Sequence, residues 1–480
     1  MTSPLDIIIM AAGRGTRMKS RLPKVLQRLA GRPLLHHVLD QAAQLAPRRV
    51  VVVTGHGATE VEAACADWTR AGAGFDLKTA RQEPQLGTGH AVQQALPALA
   101  GDGTVLVLSG DVPLTRADTL AALLAAARPE RLALLSVSLP DPTGYGRIVR
   151  GAGDAVQRIV EHKDASDAQR AITEIYSGIM AVPARWLAPW LARLSNGNAQ
   201  GEYYLTDIVA QAVQEGVAVV AHRIQDALQV EGVNSPAQLA QLERAHQQRQ
   251  AQALMEQGVR LLDPARFDLR QDARSGTRGE LVCGQDVEID VGCIFMGRVE
   301  VGAGARIGAY CHIANARIEA GAVIHPYTHI DGEAAGVQVG AGALVGPFAR
   351  LRPGTQLGRD VHIGNFVEVK NAQLADGAKA NHLAYLGDAS VGARVNYGAG
   401  SITANYDGAH KHRTVIEADV HVGSNCVLVA PLTLGAGGTV AGGSTITKDT
   451  PAGALSVARG RQVSITNWKR PSKTPPQSQP

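Results

Sequence analysis

The first 234 residues alternate short runs of aliphatic, mostly β-branched residues with longer amphipathic stretches. The apolar runs occupy residues 7–9, 50–54, 105–108 and 133–137. Strands that alternate with helices predict a parallel sheet of the α/β class. Because the ligands of such sheets bind beyond the carboxyl ends of the strands, we expect a site at that edge.

The pattern changes after residue 234, where Ser235 and Pro236 form a favourable helix start. The run rich in Ala, Gln, Leu and Arg that follows, to about residue 257, has no strand character. Its apolar stripe is thin and consists of Leu239, Leu242 and Leu254. We therefore predict a helical linker over 235–257 rather than a helix of the first domain's core.

From about residue 286 an apolar residue recurs at every sixth position and is often followed by glycine. The clearest run is Val339, Val345, Leu351, Leu357, Ile363 and Val369. Hexapeptide repeats of this kind specify a parallel β-helix, in which the apolar residues stack inside the coil. The repeats account for the 53 glycines, and a coil interior too narrow for aromatic rings accounts for an aromatic content of 4%.

The hexapeptide pattern breaks between about residues 378 and 417, in a segment that carries His, Asn, Tyr and Lys. An interruption of this kind in a regular solenoid is where we expect function. Beyond about Arg459 the chain is polar and rich in proline, which predicts disorder. The predicted organisation is a domain over 1–234, a linker over 235–257, a β-helix over 258–460 and a disordered tail over 461–480.

Length and charge exclude several classes of protein. A chain of 480 residues is too long for one small module, and a net charge of +4 is too small to indicate binding to nucleic acid. No apolar stretch reaches the roughly 18 to 20 residues that span a bilayer, and the start lacks a positively charged signal region. The five cysteines form no zinc or disulfide pattern, so we expect reduced thiols in a cytosolic enzyme without membrane insertion.

A glycine-rich loop, MAAGRGTRM over residues 10–18, follows the first predicted strand. Its backbone N–H groups suit phosphate oxygens. It is not the dinucleotide fingerprint, because Met18 replaces the third glycine, and it lacks the Gly-Lys-Ser/Thr of a P-loop. A tight turn alone would explain the glycines but not the two cations, Arg17 and Lys24, which are placed to bind a polyphosphate.

Two further segments support a nucleotide site. The small-residue loop QLGTG over 85–89 suits the close approach of a planar base, and Asp111 follows another apolar strand. An aspartate at a strand end is often only a helix cap. Its place beside two candidate phosphate loops favours a role as a magnesium ligand.

These motifs, taken in order, resemble a known family. AAGRGTRM with LPKVL, QLGTGHA, GDVPL, DPTGYGR, VEHKDA, NAQGEYYLTD and EGVN precede the hexapeptide region, which contains HLAYLGD and NYDG. From about residue 7 to 459 the chain resembles the bacterial bifunctional N-acetylglucosamine-1-phosphate uridyltransferase/glucosamine-1-phosphate acetyltransferases. The resemblance implies a Rossmann-like nucleotidyltransferase domain, a helical linker and a left-handed parallel β-helix, assembled as a homotrimer.

The resemblance also implies two reactions. Acetyl-CoA acetylates glucosamine 1-phosphate, and the product attacks the α-phosphorus of UTP to give UDP-N-acetylglucosamine, a precursor of peptidoglycan and lipopolysaccharide, and pyrophosphate. Arg17 and Lys24 would stabilise the triphosphate, while Asp111 and Asn234 would hold Mg²⁺. The other implied UTP and UDP-sugar positions are Ala11, Ala12, Gly13, Gln82, Gly87, Thr88, Gly146 and Glu161.

In the β-helix the resemblance implies that His382 is the general base and Glu368 its supporting carboxylate. An amine that attacks a thioester must lose a proton, and a neutral imidazole is a suitable acceptor. The acceptor-sugar positions would be Arg352, Lys370, Tyr385 and Asn396, with Lys411 nearby. The acetyl-CoA positions would be Ala399, Asn405, Tyr406, Ser424, Gly442 and Arg459.

The chain departs from the family pattern at three positions. Tyr176 stands where the family has an asparagine that contacts the sugar, Ser109 replaces an aromatic residue, and Gly442 replaces an alanine. Two alternatives stay open: a one-site nucleotidyltransferase whose β-helix only oligomerises, and a noncatalytic scaffold. The cations and metal pair of the first domain argue against the scaffold, and His382 with Lys370 argues against the one-site enzyme.

Overall fold

The computed structural model describes residues 4–471 except 71, 73 and 129. The described chain forms two compact units. The first contains the residues up to Ala253 together with Asp268–Gly276, and the second contains Leu254–Phe267 and the residues from Thr277 onward. Residues 461–471 are exposed and carry no helix or strand, whereas the predicted disorder of 472–480 falls outside the described residues.

The first unit alternates strands and helices as the sequence predicts. Its labelled strands are Leu5–Met10 (β1), Arg28–Leu29 (β2), Arg32–Pro33 (β3), Arg49–Thr54 (β4), Asp76–Arg81 (β5), Thr104–Ser109 (β6), Arg131–Ser138 (β7), Arg147–Arg150 (β8), Val156–Val160 (β9), Glu174–Pro183 (β10) and Ala218–Ile224 (β11), and Asp268–Arg270 is a further short strand. The helices are Leu34–Gln44 (α1), Ala58–Arg70 (α2), Thr88–Ala95 (α3), Ala117–Ala127 (α4), Asp167–Arg170 (α5), Ala184–Ala192 (α6), Asp207–Gln214 (α7) and Pro236–Glu256 (α8).

The main sheet has the strand order β11-β7-β10-β6-β1-β4-β5. All neighbours are parallel except β10, which runs antiparallel to both β6 and β7. The α/β prediction is confirmed, with one reversed strand that the sequence pattern did not reveal. In the register of β1 and β6, Met10 lies opposite Ser109, so the loops that follow these two strands are neighbours at the carboxyl edge.

Helix α8 packs on the first unit more closely than its thin stripe suggests. Leu242 is fully buried in a cluster with Met18, Leu29 and Leu34, and Leu239 packs against the same cluster. The helix is also tied by polar groups, because the Gln247 side chain bonds both the N–H and the C=O of Leu269. Polar contacts of this kind leave no trace in the apolar pattern along the chain, from which a linker over 235–257 is predicted.

The second unit is a left-handed parallel β-helix whose short strands form three faces. Face A consists of Arg260–Leu261, Glu288–Ile289, Arg306–Ile307, Val323–Ile324, Leu344–Val345, His362–Asn365, Lys379–His382, Asn396–Tyr397, His421–Val422, Thr439–Val440 and Leu455–Ser456. Face B consists of His329–Asp331, Arg350–Leu351, Glu368–Lys370, Tyr385–Gly387, Ile402–Ala404, Val427–Val429 and Thr445–Ile446. Face C consists of Glu280–Cys283, Val337–Val339, Thr355–Leu357, Gln373–Leu374, Ala389–Val391, Thr414–Ile416 and Leu432–Leu434, and two longer strands, Ile294–Val301 and His312–Ile318, continue from face B into face C.

The predicted break of the repeat at 378–417 is wrong over most of its length. The interior residues of face A stack without interruption through Ile363, Ala380, Tyr397 and Val422. The distance along the chain between stacked interior residues falls from 18 residues, Val345 to Ile363, to 17 residues, Ile363 to Ala380. This shift of one residue puts the six-residue repeat out of step and looks like a break in the sequence. Only residues 405–413 leave the coil, as a loop that ends where Thr414 rejoins face C.

The aromatic residues do not all avoid the coil interior. Phe295 and Tyr397 are buried inside it, Tyr397 directly above the small Ala380, so the predicted exclusion is wrong for these two. Four other rings stack on the outside at the corner that leads from face A to face B, with centroids 5.1 to 5.4 Å apart. We call this exposed stack, Tyr310, Tyr327, Phe348 and Phe366, the aromatic ladder.

The cysteines match the expectation of reduced thiols. All five are free, and burial raises the pKa of Cys283 and of Cys293 to about 11, which keeps these thiols protonated. No helix in the described part of the chain has the length and apolar character needed to cross a membrane.

Candidate active sites

Three of the predicted nucleotide-site residues meet at the joined ends of β1 and β6. The Lys24 ammonium donates to the Asp111 carboxylate and, at 3.1 Å, to Oδ1 of Asn234. Ser109 Oγ donates to the other carboxylate oxygen of Asp111 at 2.6 Å and so orients it. Asp111 is 87 positions from Lys24 along the chain and Asn234 is 210 positions away, yet all three side chains converge on one point.

The oxygen atoms at this point have the chemistry of a magnesium site. Carboxylate and amide oxygens are ligands that Mg²⁺ takes, and the ion usually keeps waters and substrate phosphates as its other ligands. Asp111 and Asn234 therefore fit as a partial ligand pair. Within the described residues no group of three or more His, Cys, Asp or Glu side chains could hold a metal ion.

An open cleft of about 590 Å³ lies against this cluster. Most of the predicted UTP-binding residues line this cleft, and residues of the phosphate loop and of the predicted base loop both contribute to its walls. Its walls are formed by Met10, Ala11, Ala12, Gly13, Arg14, Lys24, Val25, Gln82, Gln85, Gly87, Thr88, Ala91, Ser109, Asp111 and Glu202.

The predicted base loop is held in one conformation by polar contacts. The buried Gln82 donates through Nε2 to the carbonyl of Gly87 at 2.9 Å, and Thr88 Oγ1 accepts the N–H of Leu205 at 3.0 Å. Gly87 has φ of +109°, and a Cβ there would lie 2.7 Å from the carbonyl oxygen of Tyr203. Glycine is therefore required at this position both by conformation and by space.

Arg17 is exposed on a short 3-10 turn, Thr16–Met18, just after the glycines of the phosphate loop. It lies close enough to Tyr145 to lower the pKa of that phenol, which burial and the carboxylates of Glu231 and Asp111 raise. Arg17 and Asp111 therefore act on the same hydroxyl.

Gly146 and Glu161 lie side by side, as the resemblance implies for a sugar subsite. A Cβ on Gly146 would lie 3.5 Å from Oε1 of Glu161, and the same carboxylate oxygen accepts a hydrogen bond from Thr206 Oγ1 at 3.0 Å. Burial raises the pKa of Glu161, and the neighbouring carboxylates add to the effect. The Glu161 carboxyl is therefore held at a site that disfavours its charge.

Tyr176, the main departure from the family pattern, is buried on β10. Its backbone N–H donates to the carbonyl of Gly146 at 2.8 Å, so the residue lies at the predicted subsite. Its hydroxyl has no hydrogen-bond partner among the described residues, and burial raises the pKa of the phenol well above its usual value. The side chain fills the core beside the subsite rather than offering an amide to it.

In the β-helix the structure aligns His382 with three predicted acetyl-CoA residues. His382, Ala399, Ser424 and Gly442 occupy the same position on successive coils, each two residues beyond the interior residue of face A. The carbonyls of the first three accept N–H groups from the coil that follows. We call this set the His382 column. Asn365, one coil earlier, places Oδ1 2.9 Å from Nδ1 of His382, which leaves Nε2 free to take a proton when Nδ1 carries the hydrogen.

Predicted acceptor-site residues lie at the far end of face B. Arg352 donates to Glu368 at 2.8 Å, and Arg350 contributes a longer bond of 3.4 Å. Lys370 lies beside Lys411 of the 405–413 loop, whose ammonium lowers the pKa of Lys370. Arg352, Lys370 and Lys411 thus form a group of three cations. The carboxylate of Glu368 is bonded to arginines, whereas His382 is bonded to Asn365.

The remaining predicted residues are distributed around the coil. Tyr385 begins face B just after His382, and Asn396 lies on face A with Nδ2 3.1 Å from Nδ1 of His421. At the base of the loop Asn405 donates to Asp388 at 2.5 Å, and the exposed Tyr406 donates to the carbonyl of Gly408. Arg459 donates to the carbonyl of Gly442, which ties the end of the coil to the His382 column.

Sequence reasoning missed several residues that orient the predicted ones. Ser109 holds Asp111, Thr206 holds Glu161, and Asn365 holds His382. Thr206 lies inside the NAQGEYYLTD motif, residues 198–207, and could have been proposed from it. Asn365 carries no local signal, because only the coil register places it beside His382.

The fold and the two sites define a class of protein, a two-domain transferase with a nucleotidyltransferase unit before a hexapeptide β-helix. A family model for the MobA-like NTP transferase domain matches residues 7–186, and one for the bacterial transferase hexapeptide (six repeats) matches residues 336–371. These matches confirm the predicted fold class.

The relatives extend the likeness over the whole chain. "Bifunctional protein GlmU" of Acidovorax ebreus strain TPSY is 82% identical over 469 residues, 98% of each chain. The proteins of that name from Paracidovorax citrulli strain AAC00-1 and Cupriavidus pinatubonensis strain JMP 134 are 79% and 56% identical, each over 98% of this chain and 99% of the relative. The chain therefore belongs to the family of bifunctional GlmU proteins. It is both a uridylyltransferase and an acetyltransferase, and the one-site alternative is wrong.

Proposed function

We propose that the first unit transfers uridylyl from UTP to N-acetylglucosamine 1-phosphate at the cleft beside Lys24. The observation that carries this assignment is the convergence of Lys24, Asp111 and Asn234 at the carboxyl edge of the sheet. Phosphoryl transfer needs positioning and charge stabilisation rather than a covalent intermediate, and this cluster offers both.

Each residue of the cleft has a separate task in this proposal. Arg17 and Lys24 neutralise the triphosphate, the loop over 11–13 offers backbone N–H groups to its oxygens, and the Gln82–Thr88 loop holds the uracil. Asp111 and Asn234 would hold Mg²⁺, which supplies charge neutralisation at the phosphates when it is bound. Gly146 and Glu161 hold the sugar so that its phosphate oxygen faces the α-phosphorus, and pyrophosphate leaves in line.

In the β-helix we assign the acetyl transfer to the His382 column. The amine of glucosamine 1-phosphate attacks the thioester carbonyl, a C–N bond forms, the C–S bond breaks and CoA leaves as the thiol. Nε2 of His382 accepts the proton that the nitrogen loses and returns it to the departing CoA sulfur, so that CoA leaves as the thiol. Ala399, Ser424 and Gly442 border the path of acetyl-CoA along the corner, with Asn405, Tyr406 and Arg459 beside it. Glu368 is proposed to support the site through Arg352.

A homotrimer would complete this second site. His382 and the cation group at Lys370 lie on opposite edges of face B, which is about three residues or 10 Å wide. A sugar phosphate that spans less than this distance needs groups from a neighbouring chain. The aromatic ladder runs along the same corner as the His382 column and offers a periodic apolar surface for that chain. UTP and acetyl-CoA are made inside cells, which supports a cytoplasmic location.

The two activities can be tested together in the full-length protein. Purified enzyme with acetyl-CoA, glucosamine 1-phosphate, UTP and Mg²⁺ is expected to form UDP-N-acetylglucosamine, measured by chromatography. Asp111→Asn should abolish most pyrophosphate release and leave thiol release from acetyl-CoA intact. Equal loss of both activities in a folded Asp111→Asn variant would contradict the two-site assignment.

The trimer proposal has its own test. Phe348→Ser combined with Phe366→Ser should give monomers in light scattering and little acetyl transfer, with uridylyl transfer retained. Val282→Ser is the matched control, because Val282 is 47% exposed and Phe348 48%, yet Val282 lies on face C away from the ladder. A ladder variant that still forms trimers would contradict the proposed interface.

A further inference from the structure

Arg147, the first residue of β8, has no carboxylate as an ion-pair partner among the described residues. It is 1% exposed, and no carboxylate of the described chain lies within ion-pair distance of it. Arg150, three residues along the same strand, shows the usual arrangement, with two bonds of 2.8 Å to Glu174. A guanidinium that is buried without an ionic partner lowers the stability of the fold unless its hydrogen bonds compensate for the lost hydration. The hydrogen bonds of Arg147 therefore indicate what this residue contributes.

The contacts of Arg147 join three segments around the predicted sugar subsite. Nη1 donates to the carbonyl of Tyr145, and Nη2 donates to Nδ1 of His162 at 3.3 Å and to the carbonyl of Arg170 at 3.4 Å. The Nε atom is buried and has no partner among the described residues. The guanidinium therefore connects the end of the loop before β8 with the segment after β9 and with the end of α5.

These contacts coincide with the subsite in sequence as well as in space. Arg147 follows Gly146 directly, and its partner His162 follows Glu161 directly. The one guanidinium thus fixes the backbone next to both residues that are proposed to hold the sugar. A planar fork with several donors can fix three segments at once, which a single ammonium cannot do.

We propose that Arg147 is a positioning residue of the uridylyltransferase, which sets the spacing of Gly146 and Glu161 by bracing their loops through Tyr145, His162 and Arg170. This inference rests on the proposed placement of the sugar at Gly146 and Glu161. Arg147 does not touch the substrate, since its head is buried. A shift of about 1 Å in a positioning group can cost on the order of 10²-fold in rate, so the bracing should be visible in kinetics.

Arg147→Lys in the full-length enzyme tests the proposal, because it keeps the charge and removes the fork. We expect the KM for N-acetylglucosamine 1-phosphate to rise by on the order of 10-fold, with the KM for UTP within about twofold of wild type. Acetyl transfer by the same protein should be unchanged and reports an intact second unit. Arg158→Lys is the matched control, because Arg158 is exposed on the neighbouring strand β9 and should leave both KM values unchanged.

The partner residue gives an independent test if Arg147→Lys destabilises the first unit. His162→Ala removes the acceptor and should raise the KM for the sugar phosphate, whereas His162→Asn offers Oδ1 near the place of Nδ1 and should restore it. A sugar KM that is unchanged in both Arg147→Lys and His162→Ala, or that moves in step with the KM for UTP, would overturn the role of Arg147. A wild-type enzyme without uridylyl transfer would instead overturn the proposed function and this inference with it.

Discussion

At the scale of single residues, each proposed site contains a polar neighbour that holds a residue predicted to act there. Ser109 orients Asp111, Thr206 bonds Glu161, and Asn365 bonds Nδ1 of His382. Such neighbours fix a tautomer or a carboxylate orientation before substrate arrives, and so reduce the reorganisation that the reaction requires. The sequence proposed the residues predicted to react, whereas the contact of Asn365 with His382 depends on the coil register and left no local signal.

His382→Ala is expected to lower the kcat of acetyl transfer by about 10²- to 10⁴-fold, the usual contribution of a general base. Arg352 and Lys370 remain in place to bind the phosphate, so the KM for glucosamine 1-phosphate should change less than kcat. The measurement is thiol release from acetyl-CoA, with uridylyl transfer as the internal standard. His362→Ala, an alteration of another face A histidine one coil earlier, should have little effect. Near-normal turnover in a His382→Ala variant of unchanged oligomeric state would show that His382 is not the base.

Glu161→Gln is expected to stabilise the first unit at pH 8 while weakening sugar binding. Because burial raises the folded-state pKa of Glu161 above its unfolded value, the favourable contribution of the protonated carboxyl is present at low pH and is lost as pH rises through the folded pKa. Glutamine stays neutral and can still accept from Thr206. Thermal unfolding, followed by the fluorescence of the buried Trp190, should show a gain in Tm at pH 8 that shrinks towards pH 5. A Glu161→Gln variant that is less stable than wild type at pH 8 would show that the charged form is favoured.

At the scale of elements, each site lies where two connections meet. The phosphate loop follows β1, Asp111 follows β6, and the base loop leads from β5 into α3. In the β-helix the His382 column is a corner repeated on successive coils, and the 405–413 loop brings Lys411 to Lys370. Rigid strands set these positions, while the connecting segments supply the chemistry.

Gly87→Ala tests the base loop as an element. The new methyl group would lie 2.7 Å from the Tyr203 carbonyl at a φ of +109°, so we expect a loss of roughly 1–3 kcal/mol in stability and a higher KM for UTP. Gly101→Ala separates the two causes, because Gly101 also has a positive φ of +80° but no atom within 4 Å of the added Cβ. Denaturant unfolding and pyrophosphate-release kinetics measure both. Equal effects in the two variants would show that backbone strain, and not the contact with Tyr203, decides the outcome.

At the scale of the whole molecule, the two activities belong to units that form separate compact bodies. Each predicted site lies within one unit, since Lys24, Asp111 and Asn234 belong to the first and the His382 column to the second. The sequence boundary at residue 234 follows the end of the strand pattern. Packing extends the first unit further, to Ala253 and to Asp268–Gly276.

A fragment of residues 1–276 is therefore expected to fold and to make UDP-N-acetylglucosamine from UTP and the acetylated sugar phosphate without CoA. The shorter fragment 1–234, which ends at the predicted domain boundary, lacks the fully buried Leu242 and the hydrogen bond that the N–H of Gln271 donates to the carbonyl of Ala30. Burial of one leucine side chain contributes about 1.5–3 kcal/mol, so 1–234 should unfold at lower urea concentration. Equal urea midpoints for the two fragments would show that the packing of α8 does not stabilise the first unit.

The sequence by itself determined the fold class, and it proposed the reactive residues, because both rest on local patterns. Strand and helix periods, the six-residue repeat and glycine-rich loops each act over a few residues, and the motifs with Lys24, Asp111 and His382 are short. The tertiary structure alone decided two meetings of distant groups: Asn365 with His382 across one coil, and Arg147 with the loops of the sugar subsite. It also showed that α8 packs on the first unit and that the coil continues through the apparent break. These contacts depend on register and three-dimensional packing, and a pattern read along the chain contains neither.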